Sequence, residues 1–136
     1  MVVRPRHAVY LDASAIVKLV IDESESPAVR ERVADARQLF TNRIAVVEVG
    51  RAVQRQSEVD ASDQFSAVLN GLSIIELDVS AAESAAKLEP RGLRSLDAIH
   101  LASAMALGEE LGAFVTYDLR LADAARAAGL PVLAPA

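Results

Sequence analysis

Residues 8–21, AVYLDASAIVKLVI, decide the reading of this chain. Residues 8–11 are a short continuous apolar run ended by Asp12, which predicts a buried strand. Residues 13–21 then have helical length and apolar spacing. A strand that feeds directly into a helix is the first half of a parallel βαβ unit. The carboxylate at the junction has two readings. It caps the following helix, or it serves a site at the carboxyl end of the strand.

Working outward, the same alternation repeats. Ser26-Pro27 predicts a helix start, with serine as N-cap and proline in the first turn, and a helix to about Arg37. Residues 38–41 suit a second strand. Helices are expected over 43–56 and 60–70, a third strand over 73–77, and a capping box at Ser80-Ala81-Ala82-Glu83 with a helix to about Leu88. Residues 89–92 form a break. From Ser95, read as an N-cap, to Leu107 the pattern is apolar nearly all round, the mark of a buried helix. Residues 113–117 suit a fourth strand, residues 119–128 a final helix ended by Gly129, and residues 130–133 an edge strand that tolerates Pro131.

Strands that are continuous apolar runs, alternating with helices, predict an α/β fold with a parallel sheet covered on both faces. At 136 residues a single domain over 1–136 is expected, able to bury roughly two-thirds of its unfolded surface. The hydrophobic content of 52% and mean hydropathy of +0.26 exclude global disorder. The absence of cysteine excludes disulfides, thiolate metal sites and cysteine nucleophiles. The start, MVVRPRHAVYLDAS, lacks a signal-peptide apolar core, and nothing approaches the roughly 18 uncharged apolar residues of a membrane span. A soluble, cytoplasmic protein with no membrane partner is the expectation. The net charge of −5 opposes nucleic-acid binding through bulk electrostatics, unless acids gathered around cations make the local field less negative than the total.

Four acids interrupt or end apolar stretches: Asp12, Glu48 in AVVEVGRA, Asp97 in RSLDAIHLA and Asp118 in VTYDLRL. A carboxylate buried among apolar residues is costly unless neutralised. Asp12 and Asp118 fall where ligands bind in an open parallel sheet, outside the strand ends. Glu48 and Asp97 lie one to two helical turns in and can point back at that edge. Oxygen-only ligands suit Mg²⁺ or Mn²⁺. Each acid also has a structural alternative: Asp12 and Asp118 as helix caps, Glu48 paired with Arg51 or Arg55, Asp97 with a local partner. His100, three residues after Asp97, reads as a packing histidine or as one that orients a ligand. Ser14 and Thr116 are expected to donate to carboxylates. Lys18, Arg51, Arg55 and Arg94 are candidate phosphate contacts. Asp22, Glu23, Glu25 and Asp123 read as solvated acids and Asp78 as a turn residue.

At YLDASAIVKL, VVEVGRAVQR, LRSLDAIHLASA and VTYDLRLADAARAAGL the chain resembles PIN-domain proteins, specifically the VapC-type toxin ribonucleases of bacterial toxin–antitoxin pairs. The segments follow the family's order and span nearly the whole chain. The resemblance implies a three-layer α/β/α fold with a four- to five-stranded, mainly parallel sheet. It also implies a Mg²⁺- or Mn²⁺-dependent endoribonuclease and places catalytic and metal-binding roles on Asp12, Glu48, Asp97 and Asp118. A homodimer, an RNA substrate and a cognate VapB-type antitoxin are the implied partners. Helices near 26–37 and 43–70 carry spare apolar residues for a dimer surface.

Other uses of an acid after the first strand fit less well. A haloacid-dehalogenase-like phosphatase wants aspartate at the position of Ser14. A phospho-receiver domain wants paired acids near its first strand and a lysine near its last. A dinucleotide site wants glycines in DASAIV. The remaining alternative is a non-catalytic PIN-like module that binds RNA or a protein partner.

Overall fold

The computed structural model describes residues 7–56 and 61–136. The opening strand is β1 (Ala8–Leu11), followed by α1 (Ala13–Val20) and α2 (Ser26–Ala34). Then come β2 (Gln38–Asn42), α3 (Ile44–Gln56), α4 (Ser62–Asn70) and β3 (Ser73–Ile75). After α5 (Val79–Ala86) and α6 (Ser95–Met105), a short 3-10 turn leads into β4 (Leu111–Val115), α7 (Leu119–Ala127) and β5 (Val132–Leu133). All strand pairs are parallel and the order is β3-β2-β1-β4-β5. The strand order reverses at β1, so the topological switch lies between β1 and β4.

Alternation along β1 sends its residues to two cores. Val9 and Leu11 pack with Ile16 of α1 and Val49 and Val53 of α3 on one face. Tyr10 packs with Leu101 of α6, Phe114 of β4 and Leu121 of α7 on the other. The result is the expected three-layer arrangement. Gly50 lets α4 approach α3, since a side chain there would begin 3.2 Å from the Phe65 ring. Among the described residues no helix is long and apolar enough to cross a membrane.

Several boundaries differ from expectation for local reasons. Helix α2 ends at Ala34 rather than near Arg37, and Ser26 does not cap it. The buried Ser26 hydroxyl instead accepts from the Glu23 N–H and donates to the Ile21 carbonyl. Strand β3 stops at Ile75, where its partner β2 ends at Asn42, and Glu76 turns out to pair with Arg43. The cap of α5 is Asp78, whose Oδ1 accepts from the Ala81 N–H, not Ser80. Ser95 is the first residue of α6 and Arg94 precedes it without a side-chain cap. That helix is buried at Ala98 and over His100–Ala104 only; Leu96 is 47% exposed. Strand β4 begins at Leu111 and ends at Val115, the partner of Leu11, so Thr116 and Tyr117 lie beyond it. Pro131 precedes β5 instead of lying within it. The expected start of a helix at residue 60 lies outside the described residues.

Asn42 joins the two helices that carry Glu48 and Asp97. Fully buried, it accepts from the Ile44 N–H at the start of α3 and donates Nδ2–H to the Ser103 hydroxyl of α6, 2.9 Å away. Ser103 in turn donates to the Ile99 carbonyl. Asn42→Ala strands a helix N–H and a buried hydroxyl, which should cost about 1–3 kcal/mol. Urea denaturation checks this, and a change below about 0.5 kcal/mol would contradict it.

Candidate active site

The β1–α1 junction places Asp12 at the carboxyl edge of the sheet, 3% exposed. Its Oδ1 accepts from the Ala15 N–H at 3.0 Å, capping α1, and from the Ser14 hydroxyl at 2.6 Å. Its Oδ2 accepts from the Thr116 hydroxyl at 2.5 Å, across from β4. Ser14 Oγ also receives the Tyr117 N–H, and Thr116 Oγ1 receives the Asp118 N–H. Two short hydroxyl side chains therefore tie Asp12 to the segment that carries Asp118. Burial raises the Asp12 pKa, and the Ser14 and Thr116 hydrogen bonds, the His100 charge and the Ala15 N–H oppose that rise.

Asp118 caps α7, with Oδ1 accepting from the N–H groups of Arg120 and Leu121 at 2.9 and 3.0 Å. The capping reading is thus correct for both Asp12 and Asp118. It does not compete with a place at the site, because a strand-end residue that caps the next helix sits on the ligand-binding edge. Asp97, in the first turn of α6, faces the same edge. Its carboxyl is raised first by burial and then by the negative charges of Asp118 and Asp12, with His100 and Arg94 acting against them. Three of the four acids therefore share one electrostatic neighbourhood.

Glu48 reaches it by another route. It pairs with neither Arg51 nor Arg55; its Oε1 lies 2.7 Å from Nε2 of the buried His100. On the far side, His100 Nδ1 lies 2.7 Å from the Tyr10 hydroxyl. Neither contact was legible locally, since 52 residues separate Glu48 from His100 and 90 separate Tyr10 from His100. The only sequence signal for Tyr10 was a phenol within a buried run.

Among the described residues, no three His, Asp or Glu side chains already converge as a ready-made metal cage. Like charges without a counter-ion gain by staying apart, and Glu48 is occupied by His100. The donor chemistry nonetheless fits a hard divalent cation: four carboxylates, no sulfur, and raised pKa values at Asp12 and Asp97 that a cation would reverse.

The basic candidates divide. Lys18 is committed to Glu25 at 2.8 Å and Glu23 at 3.5 Å and lies 4.7 Å above the Tyr117 ring, so it is not available to a phosphate as expected, while Glu23 is exposed and Glu25 partly exposed. Asp22 and Asp123 pair with Arg30 and Arg126 in exposed positions. Arg51 and Arg55 line a groove of about 460 Å³ with Ser14, Glu48 and Leu96. Arg94 lines a second groove, of about 760 Å³, with Asp97 and Arg120; sequence reading had passed over Arg120. Glu48 thus lines the first arginine-bearing groove and Asp97 the second.

Residues 9–127 match the family model of the PIN domain. The chain is 41% identical over 128 residues to Ribonuclease VapC46 of Mycobacterium tuberculosis (strain ATCC 25618 / H37Rv), covering 94% of this chain and 98% of that protein. Among solved structures it resembles Mycobacterium tuberculosis VapC20, a Sarcin-Ricin loop cleaving toxin, at a TM-score of 0.73 and 16% identity, covering 93% of this chain and 99% of that one. It also resembles a toxin-antitoxin complex from Klebsiella pneumoniae, at a TM-score of 0.69 and 22% identity, covering 94% and 98%.

Proposed function

This chain belongs to the PIN domain family, as a VapC-type ribonuclease toxin, and on that premise we propose that Asp12, Glu48, Asp97 and Asp118 hold Mg²⁺ or Mn²⁺ and hydrolyse RNA phosphodiester bonds internally. The observation that carries the reading is the position of Asp97, whose carboxyl is raised first by burial and then by the charges of Asp118 and Asp12. Acids from three different elements lie near enough along the carboxyl edge of the sheet for Asp118 and Asp12 to repel Asp97. Such a cluster lowers stability, and a cation offsets the repulsion.

In this reading Asp12 and Asp97, together with Glu48 and Asp118, would hold the cation. When bound, the cation lowers the pKa of its water and offsets charge that builds on the phosphate. The protein's own groups do the rest. One carboxylate accepts the proton released by the attacking water. Ser14 and Thr116 keep Asp12 oriented through both of its oxygens. Arg94 and Arg120 on one side, and Arg51 and Arg55 on the other, contact the phosphates of a single RNA strand laid across the edge. Lys18 drops out of that set because Glu23 and Glu25 already neutralise it.

The single domain spans residues 1–136, acts as a homodimer in the cytoplasm, and is held inactive by a cognate VapB-type antitoxin. The toxin–antitoxin composition of the Klebsiella pneumoniae neighbour supports a protein antitoxin. Induced expression in a bacterial host tests the activity. The parent chain should arrest growth and create discrete new RNA ends, while Asp97→Asn should do neither. Absence of new RNA ends with the folded parent chain would refute the proposal.

A further inference from the structure

Two buried side chains stand behind the carboxylate cluster. His100 is 1% exposed and Tyr10 is fully buried. The Tyr10 ring stacks on Phe114, with centroids 5.4 Å apart and planes 9° apart, and meets His100 edge-on at 5.8 Å. A carboxylate oxygen only accepts, so His100 Nε2 carries a hydrogen toward Glu48 whether the ring is neutral or charged. In the neutral ring Nδ1 is then the acceptor for the Tyr10 O–H. A phenol keeps its hydrogen at neutral pH, so it has one to give. The connection Tyr10–His100–Glu48 runs from the central strand through α6 to α3, and in the neutral ring each donor points toward Glu48.

We propose that Tyr10 and His100 are positioning residues that hold Glu48 by Oε1 and so present its second oxygen, Oε2, toward the cation site; this inference rests on the cation proposed above. Neither residue touches substrate or cation. Glutamate has three side-chain torsions, and holding one oxygen beforehand removes part of the ordering cost of binding. Hydrogen-bond partners of metal-binding side chains typically matter 10–100-fold in metal affinity. The Tyr10 hydroxyl acts one step further back: by donating to Nδ1 it holds the ring in the orientation that points Nε2–H at Glu48.

Manganese titration of the metal-free full chain, read as free Mn²⁺ by electron paramagnetic resonance, tests the idea. The parent should bind Mn²⁺ and Asp12→Asn should not. His100→Leu should weaken binding by about 10–100-fold and Tyr10→Phe by about tenfold. His100→Gln should stay within about threefold of the parent, because its amide offers both a donor and an acceptor. Nitrogen-15 spectra of His100 should show Nε2–H with a hydrogen-bonded Nδ1 in the parent, and in Tyr10→Phe an Nδ1 resonance moved to that of an acceptor without a donor while Nε2 keeps its hydrogen, a change that a merely structural role would not produce. Tyr10→Phe keeps the ring stack, so it carries the test if His100→Leu does not fold. Parent-like or tighter Mn²⁺ binding in folded Tyr10→Phe overturns the positioning role while leaving the cation site intact. Mn²⁺ binding by Asp12→Asn equal to the parent's, or none by the parent, overturns both.

Discussion

Asp12→Asn should reduce RNA cleavage by about 10³-fold or more, equivalent to about 4 kcal/mol of lost transition-state stabilisation, while the protein stays folded. The asparagine oxygen can still accept from the Ser14 hydroxyl and the Ala15 N–H. Its amide then faces Thr116 Oγ1, a hydroxyl with a lone pair to offer. What disappears is the negative charge, which is fully enclosed and which burial already disfavours. Loss of function without loss of fold is therefore expected. Steady-state cleavage of RNA together with thermal unfolding checks both halves. Activity within tenfold of the parent would remove Asp12 from the site.

Asp97→Asn should inactivate to a similar extent and, in the metal-free protein, raise stability. The Asp97 carboxyl is raised by burial and by repulsion from Asp118 and Asp12. A carboxyl raised on folding favours the folded state fully below its ordinary range, and that benefit is lost as pH rises through the folded value. At neutral pH the charged Asp97 thus opposes folding, and the neutral asparagine does not. The expected gain is on the order of 1 kcal/mol, or a few degrees in Tm. It should widen from about pH 4 to pH 7, the window set by a carboxylate shifted upward from its ordinary range. Melting curves in a chelator across that range are the measurement. A variant less stable than the parent at pH 7 would show that Asp97 has a charged partner instead of like-charged neighbours.

These two aspartates were legible for different reasons. Asp12 ends an apolar run and begins a helix, so local pattern alone placed it on the sheet edge. Asp97 was marked by its apolar neighbours Ile99 and Leu101, although Leu96 beside it proves exposed because the first turn of α6 projects past the core. The end of β4 was misplaced because Thr116 and Tyr117 have strand-like side chains. Only the pairing of Val115 with Leu11 fixes the end of that strand, and pairing is a property of two segments. The same limit hid the partner of Glu48: helical spacing pointed to Arg51 and Arg55, whereas tertiary packing supplied His100. At α5 the competition was local, since Asp78 and Ser80 were both adequate caps and the aspartate took the role.

The helices and the parallel sheet follow from periodicity and junction residues, which act over a few positions. The relay behind Glu48 and the clasp that ties Asp12 to Thr116 depend on which strands are neighbours. Once β1 and β4 lie side by side, Ser14 and Thr116 take the donor roles their chemistry suggested, and the arginines divide between two grooves. Lys18 shows the opposite outcome. A lone lysine near the site looked available for phosphate, but Glu23 and Glu25 on the turn after α1 already hold it.

The most direct test is cleavage of a defined RNA by the purified chain in a chelator, followed by addition of Mg²⁺ or Mn²⁺, with Asp12→Asn in parallel. Cleavage should be absent in chelator, return on adding either cation to the parent, and stay absent in Asp12→Asn at every cation concentration. Undiminished cleavage by the parent in chelator, or parent-like cleavage by Asp12→Asn, would contradict a carboxylate-held cation as the basis of the activity.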